Sequence, residues 1–178
     1  MIGRYDEYER MYNAERDMWW YRILHQKVTA QITKHFPNRK DISLLDAGCG
    51  TGGMLMYLRT AGFVNIEGFD FSEDGVAFSQ MRGLAVTHHD LTKISDYNPD
   101  SKFDVIICND VFTYFSDDMI VKILQGIRAK LKPGGIFITN TNAHDAFFGI
   151  HDILVGGQKR FVTKDLKRLP AYQQQHFS

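Results

Sequence analysis

Apolar side chains follow two spacings that alternate along the chain. Short runs that are apolar almost throughout are typical of buried strands, whereas repeats at i, i+3 and i+4 are typical of amphipathic helices. Strand-like runs occur at residues 42–45, 64–70, 84–89, 103–108 and 136–142. Helical spacing precedes the first run and separates several of the others. This alternation predicts an α/β fold.

Several predicted helices carry local signals at their ends. A helix after the first strand ends at Gly62, which suits a left-handed C-terminal cap. Ser72 caps a helix that runs to about Arg82, and Ser116 caps a later helix. The apolar stripe of that later helix comprises Ile120, Ile123, Leu124, Ile127 and Leu131. Residues 93–102 are polar and predict a surface loop.

The most distinctive pattern lies in residues 44–58, where an apolar run meets a glycine cluster and then helical spacing. Glycine lacks the Cβ that would bar a tight turn and close ligand approach, so this stretch predicts a nucleotide-binding βα turn. The glycines fit G-x-G-x-x-G through Gly53, which is typical of dinucleotide sites, and G-x-G-x-G through Gly52. Asp46 favours the second pattern, because a carboxylate is awkward beside a pyrophosphate but suits the ammonium group of S-adenosylmethionine (SAM).

Four residues of this loop resemble motif I, D/E-x-G-x-G-x-G, of the class I SAM-dependent methyltransferases: Asp46, Gly48, Gly50 and Gly52. The resemblance continues in order over residues 42–142. It implies a Rossmann-like, doubly wound, mostly parallel sheet, here of five strands, with an N-terminal helical segment before it. It also implies SAM as cofactor and S-adenosylhomocysteine (SAH) as product, with Cys49 among the loop residues that bind them.

The same resemblance assigns cofactor contacts at the ends of the later strands. Asp70 ends the second strand, where the family binds both ribose hydroxyls, and Phe71 beside it is placed along the adenine. Asp90 matches the acidic residue that accepts a hydrogen bond from the adenine amino group, and the backbone amide of Leu91 meets the ring. At Asn109 the family's backbone commonly receives the ammonium group of the cofactor.

The acceptor is predicted to be a small molecule, such as a sugar, lipid precursor or metabolite. Residues 109–112 lack both prolines of the Pro-Pro-aromatic signature of methyltransferases that act on nucleobase amines. The 21 Lys and Arg equal the 21 Asp and Glu, so no net charge attracts nucleic acid. The candidates for a catalytic base are Asp110, Tyr114, His144 and His151, and because none has support from a motif, the catalytic residues are left unknown.

Length and cysteine use set the remaining expectations. A chain of 178 residues predicts a single domain with an N-terminal helical cap (1–40), a cofactor-binding core (41–142) and a helical C-terminal segment (143–178). Cys49 and Cys108 form neither a disulfide framework nor a metal-site spacing. With no run of 18 apolar residues, the chain is expected to be cytoplasmic, without a membrane span or a bound metal.

The N-terminal segment, residues 4–36, predicts one or two helices and is unusually aromatic. The aromatic residues are Tyr5, Tyr8, Tyr12, Trp19, Trp20 and Tyr21. They either pack these helices on the domain or form a lid over the cofactor and acceptor, and the sequence leaves both alternatives open.

The C-terminal part departs from the family. Residues 131–135 match the turn before the fifth strand, but the hairpin of strands that normally follows is missing, so the chain is expected to be truncated or to form a homodimer at that edge. The missing hairpin also supports an alternative function, a SAM- or SAH-binding module that is inactive alone or needs a partner. A nicotinamide oxidoreductase remains a third hypothesis through Gly53.

Overall fold

A computed structural model describes residues 5–141. Its centre is a five-stranded sheet in the order β3-β2-β1-β4-β5, and each neighbouring pair is parallel. The strands are β1 (Ser43–Ala47), β2 (Asn65–Asp70), β3 (Val86–His88), β4 (Phe103–Asn109) and β5 (Leu131–Asn140). The helices are α1 (Tyr5–Asp17), α2 (Trp19–His35), α3 (Gly53–Thr60), α4 (Glu73–Met81) and α5 (Asp117–Lys130). The predicted Rossmann-like α/β fold is confirmed.

Both faces of the sheet are buried at β1 and β4, which explains why these central strands read as nearly continuous apolar runs. On one face, Leu45 and Ile106 pack with the apolar stripe of α5. On the other face, Leu44 and Val105 pack with side chains of α2 and α3. Because successive residues of a strand point to opposite faces, neighbours such as Leu44 and Leu45 belong to different halves of the core.

The strand order determines where a ligand can bind. The chain moves outward from β1 to β2 and β3, and then returns to add β4 and β5 on the other side of β1. In open parallel sheets, ligands bind at the carboxyl ends of the strands where the order reverses. In this sheet that crevice lies beyond the ends of β1 and β4.

Two of the three predicted helix ends are confirmed, and one is wrong. Gly62 follows α3 with φ +92°, and the Ser72 hydroxyl caps α4 by accepting a hydrogen bond from the Gly75 amide at 3.3 Å. Ser116 precedes α5, but its side chain makes no capping hydrogen bond; only its carbonyl accepts from the Ile120 amide, within the normal helical ladder.

Other boundaries also differ from the prediction. Residues 93–102 are not simply a surface loop, because Leu91–Asp96 form a 3₁₀ helix and the side chains of Ile94 and Tyr97 are buried in the core. The predicted turn at residues 131–135 belongs to β5, which begins at Leu131 and contains an irregularity of register opposite the start of β4. The strand was not predicted here because this stretch, with its Lys and Gly residues, lacks the apolar pattern by which the other strands were recognised.

The N-terminal segment forms two helices, α1 and α2, separated by Met18. Helix α1 has no fully buried residue, whereas α2 buries His25, Val28 and Ile32. Across residues 5–141, no helix combines the length and the apolar character needed to cross a membrane. The helices predicted after residue 142 lie outside the described residues.

Candidate functional site

A cavity of about 430 Å³ opens at the carboxyl ends of the strands, in the crevice that the strand order predicts. Its lining combines the glycine loop after β1, the ends of β2 and β4, the turn after β3, and parts of α1 and α2. Every predicted cofactor residue except Gly52 lines it, namely Asp46, Gly48, Cys49, Gly50, Asp70, Phe71, Asp90, Leu91 and Asn109. Residues far apart in sequence therefore meet at one site.

The glycine loop is held close to both neighbouring strands. The backbone amides of Gly48 and Cys49 donate to the Phe69 carbonyl of β2 at 2.9 and 3.0 Å. Gly48 has φ +81°, and a Cβ atom on it would lie 2.7 Å from Cγ2 of Val111, which follows β4. A side chain at Gly48 would therefore strain the backbone and displace the loop after β4.

Gly52 stands apart from the other predicted cofactor residues. It precedes α3 with φ +80° and does not line the cavity. A Cβ atom there would lie 2.5 Å from Leu84 Cδ1 and 2.8 Å from Ser79 Oγ. Gly52 thus allows α3 to begin against the α4 region, and its contribution to the site is indirect.

Asp70 connects the end of β2 to the glycine loop. Its Oδ2 accepts a hydrogen bond from the Gly50 amide at 2.8 Å, and its Oδ1 accepts from the Ser72 amide at 2.9 Å. Burial raises the pKa of Asp70, while these two amide hydrogen bonds oppose that rise. A carboxylate has about four acceptor positions, so Asp70 keeps capacity for ligand hydroxyl groups.

Asp46 is buried at the end of β1 and faces the cavity. Burial, and then the nearby charges of Glu15 and Asp70, raise the pKa of Asp46 to about 8, and no hydrogen bond from the described residues offsets this. A buried carboxylate without a donor is costly. The arrangement suits a cation in the cavity, which would restore the charged form.

The turn after β3 forms the opposite wall of the cavity. Asp90 Oδ1 accepts from the Thr92 amide at 2.9 Å and so caps the 3₁₀ helix, while Leu91 is buried beside it. Phe71 is exposed, and its ring lies 5.7 Å from that of His88. Phe71 therefore presents an apolar surface at the rim of the cavity.

Helices α1 and α2 supply a further wall of the cavity, in which Tyr21 belongs to the aromatic set of the lid alternative and the other side chains had no predicted role. Met11, Glu15, Tyr21, Leu24 and His25 line the cavity from α1 and α2. Glu15 accepts hydrogen bonds from the Thr51 hydroxyl at 2.5 Å and from Arg82 at 2.8 Å. Burial lowers the pKa of His25 to about 4, so its ring is neutral at pH 7. The aromatic density of this segment was the available signal, but it did not point to Glu15 or His25.

Two of the candidate bases lie at the β4 side of the cavity. Asp110 and Tyr114 both line it, together with Val111 and Phe115. Asp110 adopts φ +56°, and its carboxylate oxygens accept from Asn140 Nδ2 at 3.1 and 3.2 Å. The other candidates, His144 and His151, lie outside the described residues. Within residues 5–141, no group of three His, Cys, Asp or Glu side chains could hold a metal ion.

Comparison with known proteins identifies the family. The family described as "Methyltransferase domain" matches residues 19–177, most of the chain. The chain belongs to this methyltransferase family. The resemblance to the class I methyltransferases is thereby confirmed, and membership excludes the nicotinamide oxidoreductase hypothesis for the glycine loop.

Individual methyltransferases agree with this assignment. The chain is 30% identical over 139 residues to a ubiquinone biosynthesis O-methyltransferase of Rickettsia prowazekii, covering 69% of this chain and 54% of that protein. This chain therefore spans about half the length of that relative.

Two solved structures share the fold. A SAM-dependent methyltransferase from Clostridium acetobutylicum has a TM-score of 0.61 at 24% identity, over 76% of this chain and 56% of its own. The SAM-bound amino pentose methyltransferase CalS10 from Micromonospora echinaspora has the same TM-score and identity, over 74% and 54%.

Proposed function

We propose that this methyltransferase binds SAM in the cavity and transfers its methyl group to a small-molecule acceptor. The observation that carries the proposal is the pair of buried carboxylates, Asp46 and Asp70, on either side of a glycine loop that leaves room for a ligand. SAM carries a cationic ammonium group, the kind of partner that Asp46 lacks, and a ribose whose hydroxyls would use the acceptor capacity left on Asp70. The naming of related proteins as O-methyltransferases and as a SAM-bound methyltransferase supports the same function.

We assign the cofactor one orientation from its charged and polar groups. Asp70 would bind the ribose hydroxyls, and Asp90 with the backbone amide of Leu91 would bind the adenine beyond the end of β3. Asp46 would stabilise the ammonium group near β1, with the backbone of Asn109. The buried Oδ1 of Asn109 accepts no hydrogen bond from the described residues, which gives this end of the cavity a further acceptor for the ammonium.

When bound, SAM supplies an electrophilic methyl group on a sulfonium. The protein's contribution is to hold the acceptor in line with that group and to exclude water. The apolar and aromatic side chains of α2, such as Leu24 and Tyr21, shield the β4 side of the cavity. In-line transfer requires alignment more than acid or base catalysis, so the main role of these side chains is to position the acceptor.

The acceptor class, assembly and location are part of the proposal. The acceptor is a sugar, a lipid precursor or another metabolite, as the 430 Å³ cavity is of a size that suits small molecules. Nucleic acid is disfavoured by the zero net charge. We place the protein in the cytoplasm, because Cys49 and Cys108 are both buried free thiols, and we expect a homodimer at the β5 edge.

Calorimetry and product analysis test the function separately. SAM and SAH should both bind, and [methyl-³H]SAM should label a small molecule in a panel of fractionated extracts. Asp46→Asn should weaken SAM binding, whereas Asp118→Asn, the same change at an exposed position of α5, should not. Binding without any labelled product would favour the inactive binding module, and failure to bind SAM or SAH would contradict the proposal.

A further inference from the structure

The cavity has two chemically different ends because the strand order places them on opposite sides of β1. The ends of β2 and β3 supply Asp70 and Asp90, the groups assigned to the adenosine. The end of β4, with α2 above it, supplies Asp110, Tyr114 and Tyr21. With the adenosine on the first side, the methyl group and the acceptor belong on the second side.

Hydrogen bonds to β5 fix the position of Asp110 at this second end. Its φ of +56° is the left-handed conformation, which Asp tolerates better than most residues. Its backbone amide donates to the Asn140 carbonyl at 2.8 Å, and its carboxylate accepts from the side-chain amide of the same residue. Two connections to β5 thus hold one carboxylate at the cavity wall.

The charges around the cavity are strongly one-sided. Among the described lining residues there are five carboxylates and no Lys or Arg: Glu15, Asp46, Asp70, Asp90 and Asp110. Asp46, Asp70 and Asp90 are assigned to the cofactor, and Glu15 pairs with Arg82. Asp110 is the carboxylate left over for the acceptor, and its charge would repel an anion at this end of the cavity.

We propose that Asp110 binds the acceptor and removes its proton, and that the acceptor reacts through a hydroxyl or amine group rather than as a carboxylate or phosphate. The inference rests on the proposed function and names the class of its acceptor. As the bond from the acceptor's oxygen or nitrogen to the methyl carbon forms, the bond from carbon to sulfur breaks and its electron pair stays on sulfur. The proton of the acceptor passes to Asp110, which later releases it to solvent.

The neighbouring titratable groups leave Asp110 as the best-placed base. Burial raises its pKa to about 6, against the hydrogen bond from Asn140, so it is ionised at pH 7.5 yet basic enough to take a proton. Burial, then the charges of Glu15 and Asp110, raise the pKa of Tyr21 to about 12. His25 is neutral but weakly basic, and Cys108 is buried with its pKa raised.

Three single-ring probes test the proposal with the SAH-loaded protein by calorimetry at pH 7.5. Catechol offers hydroxyl groups, benzylamine offers an amine, and benzoate offers a carboxylate. We expect catechol or benzylamine to bind at least about tenfold more tightly than benzoate, and the better of the two shows whether the acceptor end prefers a hydroxyl or an amine. The difference in affinity between benzoate and the better probe should be smaller at pH 5, where Asp110 is protonated.

The matched variants are Asp110→Asn and Asp118→Asn. Asn also tolerates the left-handed conformation, so Asp110→Asn should keep SAH affinity within about threefold of the native value. In this variant the affinity of benzoate should fall short of that of the better probe by less than about threefold. Asp118→Asn should leave the preference intact. Benzoate binding as tightly as the other probes, an unchanged preference in Asp110→Asn, or no binding of any probe to SAH-loaded protein would overturn the proposal. Failure to bind SAH would instead overturn the proposed function, and this inference with it.

Discussion

Glu15 of α1 and Arg82, which follows α4, form a buried ion pair across the glycine loop. The carboxylate oxygen and the guanidinium nitrogen are 2.8 Å apart, with side-chain exposures of 7% and 11%. Arg82 also donates to the Tyr12 carbonyl at 2.9 Å and lies over the Tyr12 ring. Because Glu15 also accepts from Thr51, α1 is attached to both the glycine loop and α4.

The first prediction is that Glu15→Gln loosens α1 and weakens SAM binding. Removing one partner of a buried pair leaves the other charge uncompensated, at a cost of about 3–5 kcal/mol when no hydrogen bond remains. Gln keeps part of the hydrogen bonding, so we expect at least about tenfold faster amide exchange in α1 and a similar loss of SAM affinity.

The control is Arg16→Gln, which removes an exposed pair with Asp17 on the same helix and should leave stability and SAM affinity nearly unchanged, because solvent screens such pairs. The same exchange measurement tests whether α1 and α2 act as a lid. SAM should slow exchange over residues 5–21 in the native protein. Equally slow exchange with and without SAM would mean that the aromatic residues only pack the helices.

A second prediction concerns Asp70. Asp70→Ala removes a charged acceptor for the ribose hydroxyls, and each such hydrogen bond is worth roughly 1.5–3 kcal/mol. The change also frees the Gly50 and Ser72 amides, so SAM affinity should fall by at least about tenfold. Calorimetry measures this, with circular dichroism to verify folding. Unchanged affinity in a folded Asp70→Ala protein would remove Asp70 from the cofactor site.

The third prediction separates two glycines that share a left-handed conformation. Gly48→Ala should abolish measurable SAM binding, because the new Cβ would meet Val111 beside the cavity. Gly62 has φ +92°, but a Cβ atom there would meet no atom within 4 Å. Gly62→Ala should therefore cost only about 1–2 kcal/mol of stability and leave SAM affinity unchanged. Equal effects of the two changes on SAM affinity would show that close approach at Gly48 is unimportant.

Asp46 should make stability depend on pH in the protein without SAM. The pKa of Asp46 is about 8 in the folded protein and near 3.8 in the unfolded chain. Between pH 4 and pH 8 the folded protein therefore holds a proton that the unfolded chain has lost. The free energy of unfolding therefore falls as pH rises through this window. One pKa unit is about 1.4 kcal/mol, or at least about 3 °C in Tm for a chain of this size.

Asp46→Asn isolates this effect, since Glu15, Asp70 and Asp110 also have raised pKa values and contribute with the same sign. The variant should show a smaller fall in Tm between pH 4 and pH 8 than the native protein. SAM binding at pH 7 should release protons, because its ammonium favours the ionised carboxylate. Two buffers of different ionisation enthalpy measure that release, and identical values for native and variant protein would contradict the assignment.

The fifth prediction concerns β5, the outer strand of the described sheet. Ile136, Phe137 and Ile138 are half-buried and uncharged, and the strand has no hydrogen-bonded neighbour on its outer side among residues 5–141. Exposed edges of this kind favour pairing with another chain. We expect a dimer by light scattering at micromolar concentration. A monomer that stays free of aggregates would mean that the edge is protected within one chain.

Sequence alone determined the elements whose signals are local. The apolar runs located the five strands, with the start of β5 missed, and the signal was clearest at β1 and β4, because a strand buried on both faces needs apolar side chains at nearly every position. Asp46 and Asp70 were found because each lies at the end of a predicted strand, and Asp90 was found through the resemblance to the methyltransferase family. The carboxyl ends of parallel strands lie at the same edge of a sheet, so the order of strands and helices predicted that these acids would lie close together.

Tertiary structure decided the contacts that depend on distant partners. Glu15 reads as a polar residue of an exposed helix until Arg82 and Thr51 enclose it. Gly48 and Gly52 belong to one motif, yet only Gly48 lines the cavity, because their neighbours Val111 and Leu84 come from different parts of the chain. The burial of Glu15 and the neighbours of these glycines depend on residues distant in the sequence, and no local pattern of residues encodes them.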